Sequence, residues 1–234
     1  MEESIRVKKL RLNRLSSNAH VQRFLTKQNT WIPWTYRQIR ILLNKQLLTV
    51  LKILKETRNV TTTLIRVEPK LFQPATEKLL REIHTKIGMD FGKSTLDILE
   101  KQIDQNWLQK YFDGLVTQLQ VRGRQIADTS VEILETILRK SGEEGLSINQ
   151  TATLLRSEFR RLSPSRAATI ARTEIVSASN RGSLTTVSLE SEALGLDTIK
   201  IWRATGDSRT RDSHRRANGQ KRPLDEPFIV QNQE

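Results

Sequence analysis

Apolar residues recur at helical spacing through most of this chain and switch to alternation only near its end. Ile39, Leu42, Leu43, Val50, Ile53 and Leu54, with Gln46 among them, fall on one side of a helix predicted from Thr35 to about Thr57. Arg37, Arg40, Lys45, Lys52 and Lys55 populate the rest of it. Trp31-Ile32-Pro33-Trp34 is expected to break the chain ahead of that helix, because Pro33 biases Ile32 away from helical backbone. Residues 58–74 read as a connector, with Thr61-Thr62-Thr63 favouring extended backbone and Pro69 and Pro74 limiting helix. A second helix is predicted from Ala75 to about Ile87, on Leu79, Leu80, Ile83 and Ile87, with Gly88 and Gly92 bracketing a turn. A third uses Leu96, Leu99, Ile103 and Trp107 and ends or kinks at Asp113-Gly114. A fourth runs from Leu115 to about Arg139 on Leu119, Ile126, Ile133, Ile137 and Leu138.

Beyond the loop Ser141–Gly145, Ser147 is the expected N-cap of a short helix through Phe159. Ser163-Pro164 then reads as a second cap, with proline at the first helical position of a long helix reaching residue 194. The stripe of that helix, Ala167, Ile170, Ala171, Ile175 and Ala178, is small enough for close packing. After Gly195 the pattern changes. Thr198 to Arg203 is β-rich, Ile199 and Ile201 alternating with Lys200 and Trp202. The tail beyond Asn218-Gly219 is expected to return as a short strand ending near Phe228–Val230. The predicted fold is mostly α, a long-helix N-terminal region with a small α+β C-terminal module. Its expected divisions are a basic arm over 1–34, a helical body over 35–145 and the module over 146–234.

Charge sharpens this division. The chain carries a net charge of +13, which points to a polyanionic partner, nucleic acid before membrane. Residues 1–60 hold 13 Lys and Arg against 3 Asp and Glu, so nearly all the excess lies in the first quarter. Within it Arg6, Lys8, Lys9, Arg11 and Arg14 interleave with Val7, Leu10, Leu12 and Leu15, as a short helix or an arm that orders on binding. These five cations are candidate phosphate contacts. Trp31, Trp34 and Tyr36 lie beside the arm, either to stack on bases or as a packed junction or docking anchor. The first 30 residues hold no signal-like apolar run, and Asn44-Lys45-Gln46 interrupts the most apolar stretch, so no membrane span is expected. The chain has no cysteine, which excludes a disulfide framework, a Cys-ligated zinc and a thiol nucleophile.

Titratable groups converge once, over Asp207-Ser208-Arg209-Thr210-Arg211-Asp212-Ser213-His214 between Gly206 and Asn218-Gly219. Asp207 or Ser208 would cap a short helix through Arg216, with Arg211 and Arg215 on one face. Arg209, Arg211, Arg215 and Arg216 are candidate phosphate contacts there; the other reading is an internal Arg-Asp and His-Asp network pinning a turn. Asp207, Asp212 and His214 are acceptable metal ligands, although the surrounding arginines repel a cation. On the long helix Thr173, Ser177 and Asn180 align as a polar seam, suited to packing against the 206–219 loop, while Glu174 and Arg181 share another face. His84 sits beside Ile83 in a structural setting, and His20 stands alone. No phosphate-binding glycine loop, serine elbow or His-Glu-x-x-His occurs.

Ala171-Arg172-Thr173-Glu174, Asn180, Trp202, the block Asp207–His214, Asn218-Gly219 and Pro223-Leu224-Asp225-Glu226-Pro227-Phe228 follow one another in an order and spacing that resembles the phage head morphogenesis family, the minor capsid proteins similar to Mu F. The resemblance covers about residues 145–230. It implies a low-copy internal head protein that is not an enzyme, associated with the portal or major capsid protein and acting in head assembly and DNA delivery. It would reside in the virion interior, and in the host cytoplasm during assembly. It also implies that Arg172, Glu174, Asn180, Trp202, Asp207, Arg209, His214 and Gly219 form a structural network. Relatives often carry cysteines in the Asp-x-Arg-Thr block and an Asn-Cys-Arg-Cys-like ending; this chain has neither, and no metal or cofactor is expected. The expected nucleic-acid partner is double-stranded DNA, bound without sequence preference. The alternatives are a metal-dependent nuclease built on Asp207, Asp212 and His214, or a toxin-like effector on the same module.

Overall fold

The computed structural model describes residues 17–98, 105–204, 208 and 210–230. It is mostly α, with one small two-stranded sheet near the C-terminus. The first helix, α1 (Asn18–Thr57), starts at a cap in which the Ser17 hydroxyl accepts from the His20 N–H. It runs unbroken through Pro33, so the expected break at Trp31–Trp34 is absent. Pro33 is exposed, and so is Asn29, whose carbonyl loses its helical partner where water can replace it. Tertiary contacts on the inner side hold the segment helical. The Trp31 indole N–H donates to Asp90 at 2.9 Å, Lys27 pairs with the same carboxylate at 2.8 Å, and Lys86 lies 4.8 Å over the Trp34 ring. The Trp31–Trp34 pair is therefore a packed junction.

The connector contains a short helix, α2 (Val60–Arg66), in place of extended threonines. Asn59 caps it by accepting from the Thr62 N–H at 2.8 Å, and the Thr63 hydroxyl folds back onto the Asn59 carbonyl at 2.7 Å. A single 3₁₀ turn (Pro69–Leu71) leads into α3 (Gln73–Ile98). No turn occurs at Gly88 and Gly92, which lie in mid-helix. They are bare so that aromatic rings can lie on the backbone. A Cβ on Gly88 would strike the Tyr111 hydroxyl, and one on Gly92 would stand 2.9 Å from Trp107 Cε2. Trp107 and Tyr111 come from α4 (Gln105–Phe112), stacked with centroids 4.9 Å apart. Leu99 and Ile103 lie outside the described residues.

Gly114, with φ of 64°, turns the chain into α5 (Leu115–Glu143). Ser147 opens α6 (Ile148–Leu194) through a full capping box with Gln150. The expected restart at Ser163-Pro164 does not occur, and α6 is one helix of 47 residues. The lost hydrogen bond falls on the carbonyl of exposed Arg160, while Leu155, Phe159, Ala167, Ile175 and Ala178 bury a continuous face on both sides of the proline. α6 packs along α1 and α3, and these with α5 enclose the main core. At the closest approach Gly182 of α6 meets Gly88 of α3 backbone to backbone; a Cβ on Gly182 would stand 2.9 Å from the Gly88 carbonyl carbon.

Gly195, at φ of 59°, ends α6. β1 (Ile199–Ile201) then pairs antiparallel with β2 (Lys221–Pro223), Ile199 opposite Pro223 and Ile201 opposite Lys221. The tail beyond Asn218-Gly219 thus returns as a strand, as expected, but the strand ends at Pro223 and not near Phe228–Val230. Residues 227–230 are irregular, and the Ile229 backbone is held by the Gln220 side chain, whose Oε1 accepts from its N–H at 2.8 Å.

Candidate functional site

Between the strands lies α7 (Asp212–Ala217), shorter than predicted and preceded by Arg211 without a side-chain cap. Ser213 and Ala217 face inward one turn apart, which leaves Asp212, Arg215 and Arg216 outside. The module is built around Trp202. Its ring meets His214 edge-on at 5.3 Å and Phe228 at 5.2 Å. Lys200 lies 5.2 Å over the Phe228 ring and donates to the Leu224 carbonyl at 2.9 Å. The Trp202 backbone extends the sheet by one step, donating to Gln220 and accepting from Gly219, both at 2.9 Å. Gly219 makes this reversal at φ of 84°, a region that side chains disfavour, and the Asn218 side chain closes it by accepting from the Ala204 N–H at 3.0 Å.

Glu174 lies elsewhere, on the buried side of α6. Its Oε2 accepts from the Arg122 guanidinium at 3.0 Å and is 2.8 Å from His84 Nε2. Glu174 and His84 are only 3% and 1% exposed, whereas Arg122 keeps 32% of its side chain in solvent. The Tyr111 phenol donates to the His84 carbonyl at 2.6 Å, and burial pushes it well above the usual range, so it stays a donor. Arg181 does not join Glu174. It donates to the Tyr111 and Asp113 carbonyls and pins the α4–α5 corner, with burial lowering its guanidinium from the ordinary value.

The eight network residues therefore divide. Trp202, His214 and Gly219 come together in the module. Glu174 belongs to the helical core. Arg172 and Asn180 are exposed on α6, on one wall of an open groove of about 1960 Å³. Asp207 and Arg209 lie outside the described residues. The polar seam Thr173, Ser177 and Asn180 lines the same groove, and the facing wall is Trp202 with Pro223, Leu224 and Asp225; among the described residues α7 takes no part in it. His84 and Arg122, the partners of Glu174, are 90 and 52 residues away in sequence and were not legible as such. The available signal was a histidine inside the apolar stripe Leu80, Ile83 and Ile87, a position that demands a buried partner.

Of the predicted phosphate contacts, Arg211, Arg215 and Arg216 are exposed around α7, with Arg215 3.4 Å from Asp212. Arg6, Lys8, Lys9, Arg11 and Arg14 lie outside the described residues. Asp212 is 82% exposed and turned to Arg215, while the His214 ring is turned to Trp202. Among the described residues no group of three His, Asp or Glu side chains is placed to hold a metal ion, and no helix is long and apolar enough to cross a membrane.

A two-stranded sheet is marginal alone, so the module depends on its aromatic stack. His214→Ala is expected to raise the rate of tryptic cleavage at Arg211 and Arg215 by roughly twofold to tenfold, the equivalent of one aromatic contact, with the helical circular dichroism signal unchanged. Equal cleavage rates would mean that the stack does not hold the module.

Residues 132–233 match the family model described as phage Mu protein F like protein. No curated protein and no solved structure matches the chain.

Proposed function

We propose, from the match of residues 132–233 to the phage Mu protein F like family model, that this chain is a phage head morphogenesis protein, a minor capsid component that docks on the portal or major capsid protein and contacts packaged DNA. That match carries the reading. The exposed cations Arg211, Arg215 and Arg216 and the basic arm Arg6, Lys8, Lys9, Arg11 and Arg14 support the DNA contact, which is to phosphate and carries no sequence preference. The role is structural and not enzymatic, and no metal or cofactor enters it. Its place is the virion interior, reached from the host cytoplasm during assembly. The groove between α6 and the module, whose walls combine Val176, Leu184, Trp202 and Leu224 with polar seam residues, is the docking side for the capsid partner.

The full chain mixed with the portal protein of the same phage is expected to co-purify at a fixed low ratio after nuclease treatment. Association that disappears with the DNA would remove the docking claim.

A further inference from the structure

From Ser4 to Lys55 the chain contains no Asp or Glu, and α1 occupies most of that stretch. Each of the other long helices carries carboxylates along its length. Lys86 pairs with Glu82 on α3, Arg124 with Asp128 and Arg139 with Glu135 on α5, and Arg161 with Glu158 on α6. On α1 the sole intrahelical ion pair among the described residues is Lys52 with Glu56, at 3.8 Å, at the last turn.

The exposed cations are also ordered. Arg37, Ile41, Lys45, Leu48, Lys52 and Lys55 follow at intervals of four, four, three, four and three, so they form one row along the outer face. The row spans about 27 Å at 1.5 Å per residue. Ile41 and Leu48, 41% and 54% exposed, are its apolar members. Arg37, Lys45 and Lys55 have no carboxylate partner among the described residues. The opposite face, from Ile39 to Leu54, is buried in the core, so the row cannot turn inward. Lys52 and Lys55 are like charges three residues apart, which repel on a helix, and Glu56, 3.8 Å from Lys52, is the one carboxylate of α1 set against the row.

We infer that the outer face of α1, through Arg37, Lys45, Lys52 and Lys55, is a second, preformed binding site for the phosphate backbone of duplex DNA. The inference rests on the reading of this chain as a DNA-contacting head protein and assigns that contact to a rigid helix as well as to the arm. Duplex DNA fits better than an anionic membrane. A membrane-surface helix buries its apolar face in lipid, and the apolar face of α1 is already in the core. A linear row of point charges on a rigid helix matches a line of phosphates. Base edges are not read, because the row offers no bidentate Asn, Gln or paired Arg to a groove.

The test compares four full-length proteins by titration with a random-sequence duplex across a salt series. These are the native chain; a face variant, Arg37→Gln, Lys45→Gln, Lys52→Gln and Lys55→Gln; an arm variant, Arg6→Gln, Lys8→Gln, Lys9→Gln, Arg11→Gln and Arg14→Gln; and both sets combined. Glutamine keeps helix propensity, and thermal melts confirm that the fold is retained. The face variant is expected to lower the salt-dependence slope by about two to four and the affinity by roughly tenfold to a thousandfold. A face variant that binds like the native chain, beside a weakened arm variant, overturns the inference and leaves the proposed function standing. Unchanged binding in all variants overturns both. Phosphatidylserine vesicles provide the other control: binding to them in preference to duplex, lost in the face variant, overturns the assignment to DNA.

Discussion

Replacing Gly182 with valine is expected to cost about 3 kcal/mol or more and to lower the melting temperature by about 6–12 °C. At this position α6 and α3 meet backbone to backbone. The atoms that a Cβ would approach are the Gly88 carbonyl oxygen and carbon and its Cα, the last two at 2.9 and 3.1 Å. None of them is the end of a flexible side chain, so relief requires the two helices to separate and the core between them to loosen. Alanine gives the sharper test. Mid-helix Gly→Ala gains about 1 kcal/mol from propensity alone, so a loss would carry the opposite sign and report the crossing directly. Chemical denaturation of Gly182→Ala measures it. A variant at least as stable as the native chain would show that the helices do not meet this closely.

The second large effect belongs to Glu174. Glu174→Ala is expected to cost about 3–5 kcal/mol, because it leaves His84 and the Arg122 guanidinium without their shared acceptor. The loss comes mainly from His84, which is buried, since Arg122 can turn towards solvent. Arg122→Ala should therefore cost less than Glu174→Ala. The double change His84→Leu with Glu174→Leu removes donor and acceptor together and is expected to recover more than half of the loss. Urea midpoints of the four proteins test this order. Equal effects from Arg122→Ala and Glu174→Ala would place the weight on the ion pair instead.

Helical periodicity located the interior faces well. Ile39, Leu42, Leu43, Val50 and Leu54 are buried as their spacing requires, and Ser147 caps its helix through its own hydroxyl and Gln150. Punctuation residues were the misleading signal. Pro33 and Pro164 were expected to break helices, and Gly88 and Gly92 to make a turn, yet all four lie inside continuous helices. Local propensity acts over one turn, whereas the buried faces that hold these helices extend over several, and packing decides. The glycines carry the clearest lesson. They mark places where Tyr111, Trp107 and a second backbone come close, and none of those neighbours is adjacent in sequence. In the C-terminal module the aromatic Trp202 and the positive-φ Gly219 were legible as special positions. The early end of the returning strand at Pro223 was not, because the Gln220 side chain holds the Ile229 backbone in an irregular segment.

The 47 residues of α6 make a rod about 70 Å long that carries the module at its end. Four residues, 195–198, separate the rod from β1, and a hydroxyl bond of 2.6 Å between Ser191 and Thr198 closes across them. Along its length the rod is braced by α1 and α3 and notched against α3 at Gly182, where sliding by even one residue would drive a side chain into backbone. Displacement of the module along the rod axis is therefore resisted by the whole packed face of α6 and most sharply at Gly182.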